Sequence, residues 1–491
     1  MKYFIFKSIK LCLLLATARV YSSTSSVPPI EPCDPLSAAT GCNQCTEREP
    51  CLPDSYPFQP GVYNGTLTCT RGGHCVRGSV PIDPWLTFAL KTQREVQGHN
   101  AFSTRADGYG DYDTCEWPPP YDPLCLGVAN QEFTFTDMLN MGVRGFEIDL
   151  WWCYDELRMA HLNLEAALLC LPTNRPFRDG LQEIEDWLNM PGNENEIIRI
   201  MIDVSMNHSC FNEDYIQTTD AVVNEIIQST IGDRVLTPDY LQHEFNGQWP
   251  TMRRMRETGK TIVINGNGAF LHGEVYMHPA YWDGRNMKSF KNYPDCGGRY
   301  YRNTTLRFYG DATKFGPFYS GPRSTGIITD FSELVRCGVQ ISSADMLNPS
   351  LMRTAVSTWA ENEPSIKLTS QSCVYIRLST RRWHATDECK RNLTSACQSR
   401  TDPDDWTLSG QSPAYDSSEC QEGYEYSIPK NGFQQEMILE KMESSSSDEV
   451  WINYEPWLPD DTDPGSGAKS VTTIGQTLIK VTIVLGLIFL L

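Results

Sequence analysis

Two periods of hydrophobic and polar positions alternate along the middle of this chain. A β-rich run over Arg94–Gly98 predicts a strand that delivers His99 and Asn100 at its C-terminal end. After an irregular Tyr/Pro/Cys insertion, Tyr109–Asn130, the stretch Thr134–Met141 predicts a helix stopped by Gly142. Val143–Leu150 then has the β-branched and aromatic content of a strand. Asp179–Met190 is amphipathic at the helical period, with Pro191-Gly192 as its stop, and Glu196–Ser205 is the next strand, carrying Asp203 near its end. Helices follow near Asp220–Thr230 and over Thr251–Gly259, and strands over Thr261–Asn265 and Gly338–Met346, with Ala355–Ala360 in a last helix. Strands alternating with helices over about 270 residues predict a parallel sheet, and that length suits a TIM-like (β/α) barrel. The predicted fold class is α/β.

The flanks read differently. Six cysteines lie between Cys33 and Cys75, after a Ser/Thr/Pro-rich opening. Cys42 and Cys45 have redox or zinc spacing, but a secreted, loop-rich context favours structural disulfides. After Pro364 the pattern becomes that of a small β-rich module with some local likeness to lectin-like folds. There Cys373, Cys389, Cys397 and Cys420 suffice for two bridges, and His384, beside Trp383, reads as a packing residue. The expected partition is a signal peptide at 1–22, a Cys-rich segment at 23–91, the barrel at 92–365 and the module at 366–457. An acidic linker and anchor signal complete it at 458–491.

The candidate chemistry centres on the Val143–Leu150 strand. Glu147 and Asp149 are two residues apart and share one face of it. Phe146, Ile148, Leu150 and Trp151 make the strand look buried on both faces, and buried carboxylates need a cation, a proton or a partner between them. His161 follows Glu147 by fourteen residues. Strand ends at the C-terminal face of an α/β barrel carry function, so His99, Asn100, Glu147, Asp149, His161 and Asp203 are candidates for one pocket. Asn100, Glu147, Asp149 and Asp203 offer oxygen only, which suits one hard divalent cation, Ca²⁺ or Mg²⁺.

Composition narrows the partners. A formal charge of −20 over 491 residues argues against nucleic acid. Lys2, Lys7 and Lys10 precede a short apolar run and Ala16-Thr17-Ala18, the pattern of a signal peptide cut between Ala18 and Ser23. Seventeen of the 18 cysteines follow it, as in an oxidising compartment. Asn64, Asn207, Asn303 and Asn392 begin glycosylation sequons. The apolar run Val481–Leu491, preceded by a polar spacer and by Gly465-Ser466-Gly467-Ala468, forms a glycosylphosphatidylinositol (GPI) anchor signal, with Ser466 or Gly465 as the attachment site. The expected location is the extracellular face of the plasma membrane or the cell wall.

His99-Asn100, the Glu147-Ile148-Asp149 triplet after Gly142-Val143-Arg144, and His161 occur in an order that resembles the X region of the phosphoinositide-specific phospholipase C superfamily. The extended, anchored fungal-type members are the most similar. The resemblance implies a TIM-barrel phosphodiesterase in which His99 and His161 divide general acid and base work, in an order the sequence leaves open. It also implies that Asn100, Glu147, Asp149 and Asp203 hold the cation. Asp203 stands where eukaryotic phospholipases C carry Glu and venom-type phospholipases D carry Asp, which widens the expectation to phosphodiesterases in general. The expected substrate is a phospholipid or related glycophosphodiester. The alternatives are a glycerophosphodiesterase or phospholipase D type hydrolase on the same site, or an inactive surface protein that binds glycans. Glycan contact by the C-terminal module is a further expectation.

Overall fold

A computed structural model of the protein describes residues 50–51, 67–69, 75–77, 82–91, 96–107, 130–153, 156–160, 174–203, 213–267, 276–279, 290–297, 305–306, 330–341, 344–410, 414–417 and 419–456. The fold is mixed α/β with two six-stranded sheets, the second C-terminal to the first. Ahead of both, β1 (Pro50–Cys51), β2 (Leu67–Cys69) and β3 (Cys75–Arg77) form a small antiparallel sheet.

The first large sheet contains β4 (Gln97–Gly98), β5 (Gly145–Cys153), β7 (Ile198–Asp203), β8 (Ile262–Asn267) and β9 (Met277–Pro279), all parallel and in that order. An added strand, β6 (Glu156–Met159), folds back antiparallel on the far half of β5. A separate parallel pair joins β10 (Thr305–Leu306) to β11 (Gln340–Ile341), and a parallel bridge links Gly98 to Ala344. Among the described residues no pairing joins β9 to β10, and no closed barrel is shown.

Helices back the sheet: α1 (Pro84–Lys91), α2 (Phe135–Asn140), α3 (Phe177–Leu188), α4 (Glu213–Thr230), α5 (Pro238–Phe245), α6 (Met252–Thr258), α7 (Ser332–Arg336) and α8 (Pro349–Thr354). α2 begins where Thr134 accepts the Asp137 N–H, and the chain leaves it through Gly142 at φ 95°. A Cβ at Gly142 would lie 2.4 Å from Leu90 Cδ1, so close packing and backbone angle both require glycine there. α3 buries Phe177, Leu181, Ile184, Trp187 and Leu188, a stripe at helical spacing, and Trp187 Nε1 donates to Asn140 Oδ1 at 2.8 Å. Phe146, Ile148, Ile200, Ile202, Ile262 and Ile264 fill the core beneath these helices, each worth about 1.5–3 kcal/mol on burial. The last helix of this region ends at Thr354 with Ala355 as its C-cap, so Ala355–Ala360 is not the helix its sequence predicts. Asn348-Pro349 starts the helix a turn and a half early, with the Asn348 side chain accepting the Leu351 N–H.

The second large sheet runs β13 (Arg382–Thr386), β12 (Cys373–Arg377), β17 (Glu449–Ile452), β14 (Thr394–Ser399) and β15 (Trp406–Leu408), with β16 (Tyr424–Tyr426) also on β14. It is antiparallel except where β14 meets β17. This region also contains a helix, α9 (Gly432–Ser445), that the β-rich expectation omitted. Asn431 caps it through Gln434 N–H, and a Cβ at Gly432 would lie 2.1 Å from the Val335 carbonyl, so its first residue presses against α7. Cysteines are not confined to the N-terminal segment. Cys373–Cys389 and Cys397–Cys420 are the two bridges expected here, and Cys296–Cys337 is a third.

Candidate functional site

Parallel register sets the polar row. Glu147 stands opposite Met201, which stands opposite Asn265, and Asp149 stands opposite Asp203, which stands opposite Asn267. Residues in register across a parallel sheet share a face, so Glu147 and Asn265 belong to the face opposite Phe146, Ile200 and Ile264. Glu147 is fully buried and Asp149 nearly so. Asn265 is also buried and accepts from Arg199 Nε at 3.0 Å.

His99 and Asn100 lie at the C-terminal end of β4, on the edge that borders β5. The Ala101 N–H donates to the Glu147 carbonyl at 2.8 Å, and the His99 N–H to the Ala344 carbonyl at 3.0 Å. The short loop is thus held between β5 on one side and the segment after β11 on the other. Asn100 has φ 40°, in the left-handed region that Asn tolerates better than most residues. Gln131 fixes the loop from behind: its amide donates to the His99 carbonyl at 2.9 Å and the Ala344 carbonyl at 2.8 Å. Its own oxygen accepts from Leu347 N–H at 3.1 Å.

Two partners in this site escaped the sequence reading. His99 Nδ1 lies 2.9 Å from Asp345 Oδ1, both buried. Asn130 Nδ2 donates to the same carboxylate oxygen at 3.1 Å, so its Oδ1 is the end that accepts from Asn100 Nδ2, at 3.2 Å. This chain of bonds orients both side chains. The carboxylate takes the Nδ1 proton of the His99 ring, and the Asn100 amide, donating through nitrogen, turns its oxygen away from Asn130. Asp345 had a signal in its position, an acid at the end of the predicted Gly338–Met346 strand, like Asp203. Asn130 had none, because it closes an irregular insertion.

The remaining predicted residues divide. His161 lies outside the described residues, although Ala160 before it donates its N–H to the Asp149 carbonyl at 3.1 Å. Asp203 is described through its backbone register only. Of the sequons, Asn392 is exposed, while Asn64, Asn207 and Asn303 lie outside the described residues, as do Gly465 and Ser466. Among the described residues no three His, Cys, Asp or Glu are grouped to hold a metal ion. The expected donor set is of another composition: the described side chains supply Glu147, Asp149 and an amide oxygen from Asn100.

No family model matches the chain. Two proteins of Mycobacterium tuberculosis, from strains CDC 1551 and H37Rv and both described as uncharacterized, are 22% identical to it over 310 residues. The match covers 56% of this chain and 58% of each relative, so the chain spans well under two thirds of their length. No solved structure matches. The site therefore has to be read from its own chemistry.

His384, a second histidine with a carboxylate partner among the described residues, is built differently. Its Nδ1 lies 3.2 Å from Glu363 Oε1, its Nε2 lies 2.8 Å from Thr380 Oγ1, and its ring stacks on Tyr375. Both nitrogens are engaged within the packing, as expected for a structural residue.

Proposed function

We propose that this chain is a phosphodiesterase of the phospholipase C-like type, working at the C-terminal strand ends of a (β/α) barrel. The parallel run β4-β5-β7-β8-β9 supports the barrel, as do the parallel pair β10-β11 and the parallel bridge from Gly98 to Ala344. Closure requires only that β9 meet β10. The observation that carries the functional reading is that the His99–Asp345 pair and Asn100 stand at the C-terminal end of β4, on a loop bonded to the backbone of Glu147 in the adjacent parallel strand.

The residues divide the work as follows. Asp345 holds the Nδ1 proton of His99, so Nε2 is the nitrogen that exchanges a proton with substrate. Asn100 Oδ1, the carboxylates of Glu147 and Asp149, and Asp203 would hold one Ca²⁺ or Mg²⁺, an oxygen-only set that suits a hard cation. Such an ion offsets charge that grows on the phosphoryl oxygens and lowers the pKa of an attacking hydroxyl. His161 is assigned as the second proton-transfer residue from its place in the sequence motif. A neighbouring substrate hydroxyl or water attacks phosphorus and gives its proton to one histidine, while the bond to the leaving oxygen breaks and the other histidine protonates that oxygen. The substrate is a phospholipid or a related glycophosphodiester.

Incubating the secreted protein with a panel of phosphodiesters, and identifying products by mass spectrometry, tests this reading. Turnover that EDTA abolishes and Ca²⁺ or Mg²⁺ restores is expected. No turnover of any diester with either cation present would overturn it. A glycerol phosphate or phosphatidic acid product would move the assignment to the alternative hydrolases. The same reading anchors the protein at the cell surface through Ser466 or Gly465. Deleting Val471–Leu491 should release it to the medium, measured by blotting cells against supernatant.

A further inference from the structure

A second polar recess, containing none of the residues named above for the reaction, lies where α7 and the end of α8 meet β13 and α9. It has a volume of about 460 Å³ and is lined by three arginines, Arg336, Arg381 and Arg382, against two glutamates, Glu333 and Glu436. In a chain of net charge −20, the lining side chains still carry one more arginine than glutamate.

The arginines are not equivalent. Arg336 pairs with Glu333 at 2.7 Å and Glu436 at 3.3 Å, and Arg381 pairs with Glu436 at 2.6 Å and Glu443 at 2.8 Å. Arg382 makes no ion pair among the described residues, and its one side-chain hydrogen bond is a long one, 3.5 Å from Nη1 to the Ser357 carbonyl. That carbonyl is already bound by Gln435 Nε2 at 2.6 Å. Gln435 cannot turn to help, because its Nε2 also serves the Arg381 carbonyl at 2.7 Å and its Oε1 accepts from Trp383 Nε1 at 2.7 Å. Burial lowers the pKa of Arg382, Glu436 opposes this in part, and Arg381 adds to it. A guanidinium carries five N–H donors in a fork that matches an oxyanion. Here the surrounding protein answers that fork with a single shared carbonyl. Arg382 is half-buried, and withdrawing part of a guanidinium from water without a paired anion carries a cost that an anion arriving from solution would offset.

We propose that this recess is a binding site for the oxyanion group of a small ligand, a phosphate or a carboxylate, with Arg382 as the residue that receives it. Its volume lies within the roughly 300–1,000 Å³ of small-molecule sites, and it sits at a junction between two layers of the fold, where such sites concentrate. The site is independent of the proposed reaction.

The test titrates the full secreted protein with inorganic phosphate, glucose 6-phosphate or citrate, with potassium chloride at matched ionic strength. Calorimetry and thermal melting are the readouts. At least one of the three anions should bind and raise the melting temperature, and which one does separates a phosphate from a carboxylate source. Arg382→Gln should weaken that binding by about tenfold or more without lowering the ligand-free melting temperature, since it removes a half-buried charge that has no carboxylate partner. Glu147→Gln should bind as the wild type does, which separates the recess from the strand-end site. If Arg382→Gln does not fold, Arg382→Lys carries the test, because lysine keeps the charge but loses the fork and should also bind more weakly. The proposal is overturned by any of three results: no binding of these anions up to millimolar concentration, undiminished affinity in the Arg382 variant, or loss of binding in Glu147→Gln.

Discussion

His99 and His384 are both buried, and each has a carboxylate oxygen about one hydrogen bond away, at 2.9 Å and 3.2 Å. In the C-terminal sheet the ring of His384 is consumed by its surroundings: Glu363 at one nitrogen, Thr380 at the other, Tyr375 against its face. In the parallel sheet His99 stands on a strand-end loop. Its ring is oriented by Asp345, and the loop is bonded to the backbone of the acidic strand β5. A histidine–carboxylate pair is therefore no evidence of chemistry by itself. What differs is the setting: the His384 pair closes on itself within the packing of one sheet, whereas the His99 pair stands at the strand ends of the parallel sheet, on a loop bonded to the strand that carries Glu147 and Asp149.

The largest expected effect separates the two histidines directly. His99→Ala should lower phosphodiester turnover by about 10²–10⁴-fold, the usual share of a general acid–base step, with melting little changed. Asp345→Asn should cost a comparable factor and shift the pH profile, because an amide there presents a donor to the Nδ1 proton. Wild-type turnover in His99→Ala would remove that residue from the mechanism and erase the contrast.

A third buried polar cluster shows what burial alone is worth. Arg175 lies 2.5 Å from Glu183 and 3.6 Å from Asp107, behind the sheet and over the Phe135 ring. Burial opposes its charge, but Asp107, Glu183 and Asp179 outweigh that and raise its pKa. Arg175→Met leaves two buried carboxylates without their cation and should cost about 3–5 kcal/mol in urea unfolding. Specific activity of the folded fraction should stay near wild type, whereas a large fall would tie this cluster to the site.

His384→Ala should lose about 2 kcal/mol, by removing a ring stacked on Tyr375 and stranding the Glu363 carboxylate, and leave turnover unchanged. Loss of activity without loss of stability would contradict the structural role given to it.

The smallest effect lies at the entry to α7. The Ser332 hydroxyl and N–H hold the exposed Asp330 carboxyl below its usual range, with the N–H at 2.7 Å. A depressed carboxylate stabilises the fold above its unfolded pKa, and that contribution is lost as pH falls through the lower folded value. Asp330→Asn should cost about 0.5 kcal/mol at neutral pH and nothing in acid, once solvent screening is allowed for. An equal cost at both pH values would show that charge is not involved.

The sequence by itself determined the local pieces. The strand carrying Glu147 and Asp149 follows from β-branched and aromatic content with a period of two. Helices α2, α3 and α6 follow from their caps and stops at Thr134, Pro191-Gly192, Thr251 and Gly259. These signals act over a few residues, so they survive in a linear reading. Even there a competing local signal won at Asn348-Pro349, which moved the last helix of the region ahead of Ala355. α9 was missed for a related reason: it is buried around much of its circumference, through Phe433, Gln434, Gln435, Ile438, Leu439 and Met442, so it has no single apolar stripe to read.

The tertiary structure alone decided which polar groups meet. Asp345 reaches His99 across 246 positions of chain, and Asn130 reaches Asp345 across 215. No periodicity records such a pair, because a hydrogen bond depends on the register of β4, β5 and the segment after β11 rather than on spacing along the chain. The same holds for Arg382. Its lack of an acidic partner follows from how α9 and β13 dispose Glu436 and Gln435 around the recess, and burial then sets the energetic consequence.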